Sequence, residues 1–374
     1  MSKRKNGEGT WGKKKIKGYD YVFYRGSDGK YTYGKTQKDV KEKLAKQAEK
    51  FELTNKTTFG EYILNWLEGK KTTIEPTTYD CYETMINSLI INFKGYDIST
   101  LQIQQINQNE LQEYLNALAK KYARSTISKI WVIIKECVKY AEVKKEIQPN
   151  TTTFVKVPIE SNVKVKKKEI PFLSMEDADK LYKVAQNGYG NNAQALMLIM
   201  YTGMRVSEAI ALKWENVDVE NKKIYIKESA ANIINRGDGD NKYISYDKTT
   251  KTSDSIRTIP LPDRALEAIK YFSLQNPKHK KTDYVCVTNK GTKMERRNIN
   301  RTLYFMASKA KCSVQDFSVH TLRHTYGSIL IANGVDIKVV SQLLGHSDIS
   351  TTYNIYIGIL EADKAKDVER VFNK

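Results

Sequence analysis

Apolar side chains recur at helical spacing through the middle of the chain, between residues 57 and 158. A spacing of three and four positions places them on one face of a helix, which is typical of a packed core. Pro76 and Ser125 are suited to begin the second and fourth of these helices. The pattern predicts a helical bundle over residues 56–160. Its four apolar stripes are Phe59, Tyr62, Ile63, Trp66 and Leu67; Tyr79, Tyr82, Ile86, Leu89, Ile90 and Phe93; Leu111, Tyr114, Leu115 and Leu118; and Ile127, Ile130, Ile134, Val138 and Ala141.

The first 55 residues follow a shorter period. Aromatic and β-branched residues at 19–24 and 31–33 flank a Gly-Ser-Asp-Gly turn at 26–29, which indicates a β-hairpin. Thr36 can cap a helix that follows the second strand. We predict a small domain over residues 1–55 that combines a three-stranded sheet with one helix.

The rest of the chain alternates between helical and strand patterns. Ser174 can cap one helix, and the nearly all-apolar run at 195–200 indicates a buried helix. Gly203 can end that buried helix in the left-handed conformation. We predict a mixed α+β domain over residues 171–374, with an amphipathic tail helix, preceded by a basic linker at 161–170. The predicted fold class is multidomain and mainly α, with small β-sheets.

The charge balance favours a polyanionic partner. The 374 residues include 62 Lys and Arg against 43 Asp and Glu, a formal net charge of +19. Such an excess suits nucleic acid, because neutralised phosphates release condensed counterions. A lysine-rich surface that only aids solubility explains the charge equally well, so composition alone leaves both interpretations open.

Membrane and metal signals are weak in the sequence. No apolar run approaches the roughly 20 residues of a membrane-spanning helix, so we expect no membrane partner. The four cysteines are scattered and form no pair at metal-ligand spacing. This usage is typical of reduced cysteines, and we expect a cytoplasmic protein.

Arg205 is the first candidate for chemistry. It follows Gly203 at the predicted turn between two helices, where its position is fixed, and Glu208 is spaced to hold its guanidinium. A guanidinium is always charged and matches the oxygens of a phosphate. The competing interpretation is a buried Arg–Glu pair of purely structural value.

Three of the four histidines follow residue 319, close to a second arginine. His320 and Arg323 share one face of a predicted helix, as do His320 and His324. Two histidines at this spacing could form half of a zinc site, but Thr321 stands where the zincin motif has glutamate. We therefore expect no metal, and we interpret His320 as a proton carrier or phosphate ligand and Arg323 as a phosphate ligand.

These motifs resemble the tyrosine recombinase (phage integrase) family. The resemblance covers nearly the whole chain and is strongest between residues 170 and 356. It rests on Thr-Gly-x-Arg at 202–205 followed by Glu208, the run from Lys251 to Leu261, the box at 320–325, Leu-Leu-Gly-His at 343–346, and Thr-Thr followed by a tyrosine at 351–356. The site residues that it implies are the catalytic Arg205, Lys251, His320, Arg323 and His346, the nucleophile Tyr356, and the supporting Glu208 and His324.

Two assignments within this site stay open. The polar stretch from Ser229 to Lys242 is interpreted as an insertion, so Lys248 competes with Lys251 for the catalytic position. Tyr353 competes with Tyr356, although it follows the two threonines more closely than the family pattern expects. A Tyr-x-His ending is common in the family, whereas Ile357-Gly358 follows here.

The resemblance implies a site-specific DNA recombinase of a mobile element such as a phage or a transposon. Such an enzyme cleaves and rejoins DNA through a 3′-phosphotyrosyl link and a Holliday junction, without a cofactor. Its expected partners are double-stranded DNA at core and arm sites, three further copies of itself in a homotetramer, and accessory DNA-bending or directionality proteins. It would act in the bacterial cytoplasm, on the nucleoid. The alternatives are a chromosome-dimer resolvase, an enzyme resembling type IB topoisomerases, and a non-catalytic DNA-binding regulator.

Basic side chains in three segments are candidates for DNA contact. In the resembling family, the N-terminal domain binds arm sites and the helical bundle binds core sites. A merely solvated surface is the alternative for each group. The candidates are Lys13, Lys14, Lys15 and Lys17; Lys120, Lys121, Arg124 and Lys129; and, in the linker, Lys164, Lys166, Lys167 and Lys168.

Overall fold

A computed structural model describes residues 10–16, 19–25, 31–52, 57–165, 171–237, 242–249, 256–313 and 318–356. The chain divides into two compact units, Met1–Lys167 and Lys168–Lys374. In the described segments, no helix has both the length and the apolar character needed to cross a membrane.

The first unit begins with an antiparallel sheet and a helix. The Thr36 hydroxyl accepts a hydrogen bond from the Asp39 amide at 3.1 Å, and the Asp39 carboxylate accepts one from the Thr36 amide at 3.0 Å. These bonds satisfy amides that the start of a helix leaves unpaired. The predicted three-stranded sheet with one helix is confirmed. Its elements are β1 (Thr10–Ile16), β2 (Tyr19–Arg25) and β3 (Tyr31–Gly34), in that spatial order, and α1 (Gln37–Glu52).

A helical bundle follows in the same unit. The four predicted apolar stripes face one common core, except that Tyr82 is only partly buried. Pro76 begins its helix as predicted. The helices are α2 (Phe59–Gly69), α3 (Pro76–Met85), α4 (Gln108–Ala119) and α5 (Arg124–Val143), with a π-helical turn at Ile86–Ile91 and 3₁₀ turns at Ile103–Gln105 and Glu160–Asn162.

The start of α5 differs from the sequence prediction. Ser125 does not cap this helix, which begins one residue earlier, at Arg124. The reason is tertiary, because Ala123 is held in an extended conformation by a β-bridge to Val165. A contact 42 residues away therefore overrides the local capping preference of a serine.

The beginning of the predicted linker packs on the bundle. Val163 is buried in the bundle core, and the Lys164 amide donates to the Ala119 carbonyl at 2.9 Å. Residues 161–165 of the predicted linker therefore lie against the bundle, because burial of the apolar Val163 side chain is favourable. Residues 166–170 lie outside the described part of the chain.

The second unit is a mixed α+β domain built around α7 (Gly190–Thr202). This helix is buried on nearly all sides and packs against α9 (Asp263–Gln275) and α11 (Val319–Ala332). Ser174 caps α6 (Met175–Gln186) by accepting from the Asp177 amide at 3.1 Å, while the Asp177 carboxylate accepts from Ser313 and does not bind back to the Ser174 amide. Residues 349–356 are also helical. The remaining helices are α8 (Val206–Ala211), α10 (Arg296–Ala310) and α12 (Ile337–Leu344).

Two small antiparallel sheets connect α8 to α9. The stretch interpreted as an insertion begins with a strand that pairs with the next strand along the chain. The resulting hairpin is a separate sheet, and in sequence it lies between two strands of the other sheet. The Asp247 carboxylate accepts from the Tyr284 hydroxyl and from the Lys293 ammonium, which fixes the base of this hairpin. The sheets are β4 (Val217–Asp218), β5 (Lys223–Ile226) and β8 (Arg257–Pro260), and β6 (Glu228–Ile234) with β7 (Tyr243–Thr249).

The observed architecture confirms the predicted fold class, mainly helical with small antiparallel sheets. The helical bundle and the α+β unit each have a separate hydrophobic core. A third, smaller cluster joins α11, α12 and the helical segment 349–356. That cluster packs the segment 349–356 beside the candidate active site.

Tyr114→Phe should destabilise the helical bundle. The buried Tyr114 hydroxyl donates to the Leu89 carbonyl at 2.7 Å, and its removal leaves a buried carbonyl without this donor. We expect the free energy of unfolding of the first unit to fall by about 1–2 kcal/mol, measured by urea denaturation with circular dichroism. Tyr140→Phe removes an exposed hydroxyl from the same unit and should change this free energy by less than about 0.5 kcal/mol. Equal effects of the two substitutions would contradict the assignment.

Candidate active site

The turn between α7 and α8 fixes the position of Arg205. Gly203 ends α7 with a φ of 65°, the left-handed conformation, and a Cβ at this position would lie 2.4 Å from Tyr326 Cδ1. Arg205 therefore starts α8 with its backbone already oriented. Its amide donates to Glu208 Oε2 at 2.7 Å, and its Nη1 donates to Glu208 Oε1 at 2.8 Å.

Glu208 is shared by two guanidiniums. Arg257, from β8, donates to both of its carboxylate oxygens, at 3.0 and 2.7 Å. Burial by itself would raise the pKa of the Glu208 carboxyl, but hydrogen bonds and charge from Arg257 and Arg205 outweigh burial and lower it. Glu208 is therefore an ionised carboxylate that neutralises part of the positive charge around it.

The C-terminal end of α12 accepts hydrogen bonds from three different arginines. Gly345 caps this helix with a φ of 65°. The last carbonyls of a helix carry partial negative charge and lack partners within the helix, so they suit guanidinium donors. Arg323 is buried and is also tied to the α7–α8 turn. The pairs are Arg257 Nε to the Leu343 carbonyl (2.7 Å), Arg323 Nη2 to the Leu344 carbonyl, Arg205 Nη2 to the Gly345 carbonyl (2.9 Å) and Arg323 Nη1 to the Gly203 carbonyl (2.7 Å).

His320 lies in the first turn of α11, at the solvent-accessible side of the site. Its Nε2 atom is 3.1 Å from Nη2 of Arg296, the first residue of α10. Partial burial and the charges of Arg296, Arg323 and Arg205 lower the pKa of the imidazole. His320 is therefore a neutral ring at neutral pH.

His346 and His324 are neutral for similar reasons. Burial, followed by the charges of Arg323 and Arg205, lowers the pKa of His346 to about 4. Burial and Arg323 lower the pKa of His324 to about 4. His346 Nδ1 lies 2.8 Å from the Thr352 hydroxyl, which orients the ring. Both imidazoles can thus donate or accept a hydrogen bond without adding charge.

Tyr356 is buried at the end of the described chain, with 2% of its surface exposed. Its hydroxyl packs against α11, where a Cβ at Gly327 would lie 2.2 Å from the phenolic oxygen. No described residue forms a hydrogen bond with this hydroxyl. Burial raises the pKa of the phenol to about 12, although the charge of Arg323 opposes the rise. The ring centroid lies 6.5 Å from that of His324.

The structure brings most of the predicted site residues together. Arg205 and Arg323 act electrostatically on His320 and His346, and Arg323 acts on Tyr356. Tyr353, the competing nucleophile, is 44% exposed. Lys248 lies on β7 opposite Ser229. Lys251 and the tail helix lie outside the described residues.

Two further residues belong to this site that the sequence interpretation did not single out. Arg257 was noted only as part of a motif, yet it binds both Glu208 and the end of α12. The charge of Arg257 within the short strand 257–260 was the sequence signal that could have indicated its place in the site. Arg296 contacts His320 across 24 residues of sequence, and no local pattern pointed to it.

The predicted DNA-contact residues that are described all lie at the surface. The hydrogen bond between residues 119 and 164, and the bridge between 123 and 165, place the basic residues at the α4–α5 junction near Lys164. The exposed residues are Lys13, Lys14 and Lys15 on β1, Lys120, Lys121, Arg124 and Lys129 at the junction, and Lys164. Those outside the described residues are Lys17, Lys166, Lys167 and Lys168.

Residues 171–362 match the family described as the Phage integrase family, and residues 58–119 match its N-terminal SAM-like domain. The chain belongs to the phage integrase family and is a tyrosine site-specific recombinase. The predicted family and enzyme class are confirmed.

Known proteins resemble the chain over most of its length. It is 29% identical to a "Tyrosine recombinase XerC-like" protein of Caldanaerobacter subterraneus subsp. tengcongensis, over 90% of this chain and 90% of the relative. It is 28% identical to the integrase of Staphylococcus phage L54a, over 87% of this chain and 95% of the relative. The fold resembles that of the Tn1549 transposon integrase in complex with a circular intermediate DNA, with a TM-score of 0.67, 18% identity, and coverage of 83% of this chain and 99% of that chain.

Glu208→Gln should destabilise the second unit while preserving the size of the side chain. The substitution removes the carboxylate charge between Arg205 and Arg257, so that the clustered guanidiniums repel one another without a counter-charge. We expect a loss of about 3 kcal/mol in the free energy of unfolding at pH 7, measured by urea denaturation.

The pH dependence gives a second measurement of the same carboxylate. Because the folded state lowers the pKa of Glu208, its contribution is present above the pKa of an unfolded carboxyl and is lost as the pH falls through the folded value. The difference between wild type and Glu208→Gln should therefore shrink in acid. The exposed Glu220→Gln is the control and should change stability by less than about 0.5 kcal/mol. A Glu208→Gln protein as stable as this control would refute the role of the carboxylate.

Proposed function

We propose that this recombinase integrates and excises a mobile DNA element, cleaving DNA through a 3′-phosphotyrosyl link on Tyr356. The observation that carries the proposal is the gathering of two fixed guanidiniums, neutral imidazoles and a tyrosine in one site. The phage L54a integrase and the Tn1549 transposon integrase support the assignment to a mobile element.

In this mechanism, Arg205 and Arg323 bind the scissile phosphate. Backbone and carboxylate partners hold both guanidiniums before DNA arrives, and Arg205, whose side chain is 33% exposed, can bind a phosphate with little reorganisation. Negative charge on the phosphate oxygens is greatest in the transition state, where fixed cations contribute most. His346 is placed to donate a hydrogen bond to the same phosphate.

The chemistry is a transesterification. The phenolic oxygen of Tyr356 attacks phosphorus and loses its proton to His320, which is neutral and can accept it. The 5′ oxygen leaves and takes a proton from Lys251, in the proposed role of general acid. One phosphodiester bond is exchanged for another, so the link can be rejoined to a second strand without ATP.

Tyr356 must move before it attacks. Its hydroxyl is buried against Gly327, and burial raises its pKa to about 12. A phosphate held at the solvent-accessible side of the arginines cannot reach a buried phenol. Cleavage therefore follows a rearrangement of the segment 349–356 that exposes the nucleophile to the phosphate.

The exposed basic residues supply the proposed DNA surface. The cluster at the α4–α5 junction, together with Lys164, is suited to the phosphates of a core site. The lysines of β1 are suited to an arm site. We propose domains 1–55, 56–160 and 171–374 for arm binding, core binding and catalysis, joined by the linker 161–170.

The stoichiometry of the reaction favours a tetramer. Each protomer supplies one nucleophilic tyrosine, and exchange between two duplexes requires four strand cleavages. Four protomers therefore act on two duplexes, exchanging one pair of strands at a time through a Holliday junction. Accessory DNA-bending or directionality proteins would choose between integration and excision.

Tyr356→Phe should retain DNA binding and abolish covalent attachment. The substitution removes only the phenolic oxygen, which has no hydrogen-bond partner among the described residues, so the fold should persist. The measurement is trapping on a nicked duplex that carries the end of the encoding element, followed by denaturing electrophoresis. Tyr353→Phe is the matched control and should still be trapped.

Two outcomes would contradict this prediction. Peptide mapping that placed the DNA on Tyr353 would overturn the assignment of the nucleophile. A wild-type protein that bound the site but was never trapped would favour a non-catalytic regulator.

Strand cleavage should persist in excess EDTA. The proposed charge neutralisation comes from Arg205, Arg323 and Lys251, so no divalent ion takes part in the chemical step. Trapping on the nicked substrate is measured with and without EDTA at constant ionic strength. Loss of trapping that Mg²⁺ or Zn²⁺ restores would refute the mechanism, provided that DNA binding is unchanged in the same samples.

A further inference from the structure

We propose that Arg296 is a positioning residue that keeps Nε2 of His320 occupied as a hydrogen-bond acceptor until DNA takes the guanidinium. The inference deepens the proposed function, since it concerns how His320 becomes able to accept the phenolic proton. Arg296 is not one of the two arginines proposed to bind the phosphate. It lies at the start of α10, while the arginines of that pair lie at the α7–α8 turn and on α11.

The geometry defines the tautomer of His320. Arg296 Nη2 lies 3.1 Å from Nε2 of the ring. A guanidinium has only donors, so Nε2 must be the acceptor and the ring proton of the neutral imidazole must be on Nδ1. Asn300 Oδ1 accepts from the Val319 amide at 3.1 Å, which fixes α10 against the start of α11 and keeps the two side chains in register.

In the described part of the chain, the charges that lower the pKa of His320 are all positive. Arg296 acts on the ring from α10, Arg323 from α11 and Arg205 from the start of α8, while His324 is the neighbouring imidazole. The nearby carboxylate, Glu208, is bound by Arg205 and Arg257. Protonation of His320 would add a fourth positive charge to this group, so the neutral form is favoured.

This arrangement has a consequence for proton transfer. An Nε2 atom that accepts from Arg296 cannot accept the proton of Tyr356 at the same time. Arg296 also lines a cavity of about 810 Å³ beside the site, together with Ser207 and Asn300. A DNA phosphate that enters this cavity is a stronger partner for the guanidinium than an imidazole, because the hydrogen bond then joins opposite charges. Binding of DNA thus brings the substrate and, at the same time, frees Nε2 of His320 to accept the proton of Tyr356.

The first test measures His320 in the DNA-free protein. The chain has four histidines, so ¹⁵N-labelled histidine gives few ring signals, and His320→Asn assigns the relevant one. In the wild type we expect the Nδ1–H tautomer and a pKa below the ordinary histidine value. Arg296→Gln should raise that pKa and populate the Nε2–H tautomer, because the guanidinium charge is lost and the shorter side chain places its amide donor short of Nε2. Arg296→Lys should restore much of the wild-type behaviour.

Arg297→Gln is the matched control. Arg297 is the next residue of α10 and is also exposed, so its substitution removes the same charge from the same helix turn. It should leave the tautomer of His320 unchanged. A His320 signal that is identical in wild type and Arg296→Gln would overturn the proposal, and so would an equal response to Arg297→Gln.

The second test follows the pH profile of covalent trapping at limiting DNA, which reports the ionisation of the free enzyme. Arg296→Gln should move the acid limb to higher pH, because a more basic His320 stays protonated over a wider range. Trapping at pH 6 relative to pH 8 should fall several-fold in Arg296→Gln, while the profile of Arg297→Gln should keep the wild-type acid limb. An unmoved acid limb in Arg296→Gln would count against the proposal.

The two tests separate this inference from the proposed function. If Tyr356 is not the nucleophile, trapping fails to map to it, while the ring signals of His320 still respond to Arg296. If those signals do not respond while Tyr356 is trapped normally, only the role of Arg296 is wrong.

Discussion

The repulsion among clustered guanidiniums is the constraint around which the catalytic unit is organised. Arg205, Arg257 and Arg323 lie close together around the end of α12. In the proposed mechanism, two of them, Arg205 and Arg323, bind one phosphate. The mutual repulsion of the three is balanced by one buried carboxylate, Glu208, and by the carbonyls at the end of α12. If either Glu208 or the carbonyls at the end of α12 were removed, like charges would remain together in a partly buried site. Coulomb repulsion is much stronger there than in water.

This constraint connects parts of the chain that are distant in sequence. Arg205 follows α7, Arg257 lies on β8, and Arg323 lies on α11, yet all three donate to the same helix end. Gly345 is part of the same arrangement. A residue with a Cβ at this position would place that atom 2.9 Å from Arg257 Nη1. The site is therefore assembled only when the α+β unit is fully folded.

Part of the site could be predicted from the sequence by local rules. Helical periodicity places His320, Arg323 and His324 on one helix, and the left-handed Gly203 follows from a helix-ending rule, whereas His346 and Tyr356 were assigned from the resemblance to the family. Contacts between distant segments could not be predicted in this way. The pairing of Arg296 with His320 and the capture of Ala123 by Val165 both depend on how elements approach one another. The serine at 125 failed as a cap for the same reason, since a tertiary bridge determined where α5 begins.

The packing of Tyr356 against Gly327 has a consequence for how this protein meets DNA. Burial raises the pKa of the Tyr356 phenol to about 12, so the hydroxyl keeps its proton at neutral pH. A strongly basic protein meets non-specific DNA far more often than its own site. Most of those encounters therefore involve a protein whose Tyr356 hydroxyl is both buried and protonated. A glycine on α11, by leaving space for one phenolic oxygen, thus keeps this hydroxyl away from the DNA that the protein meets without rearranging.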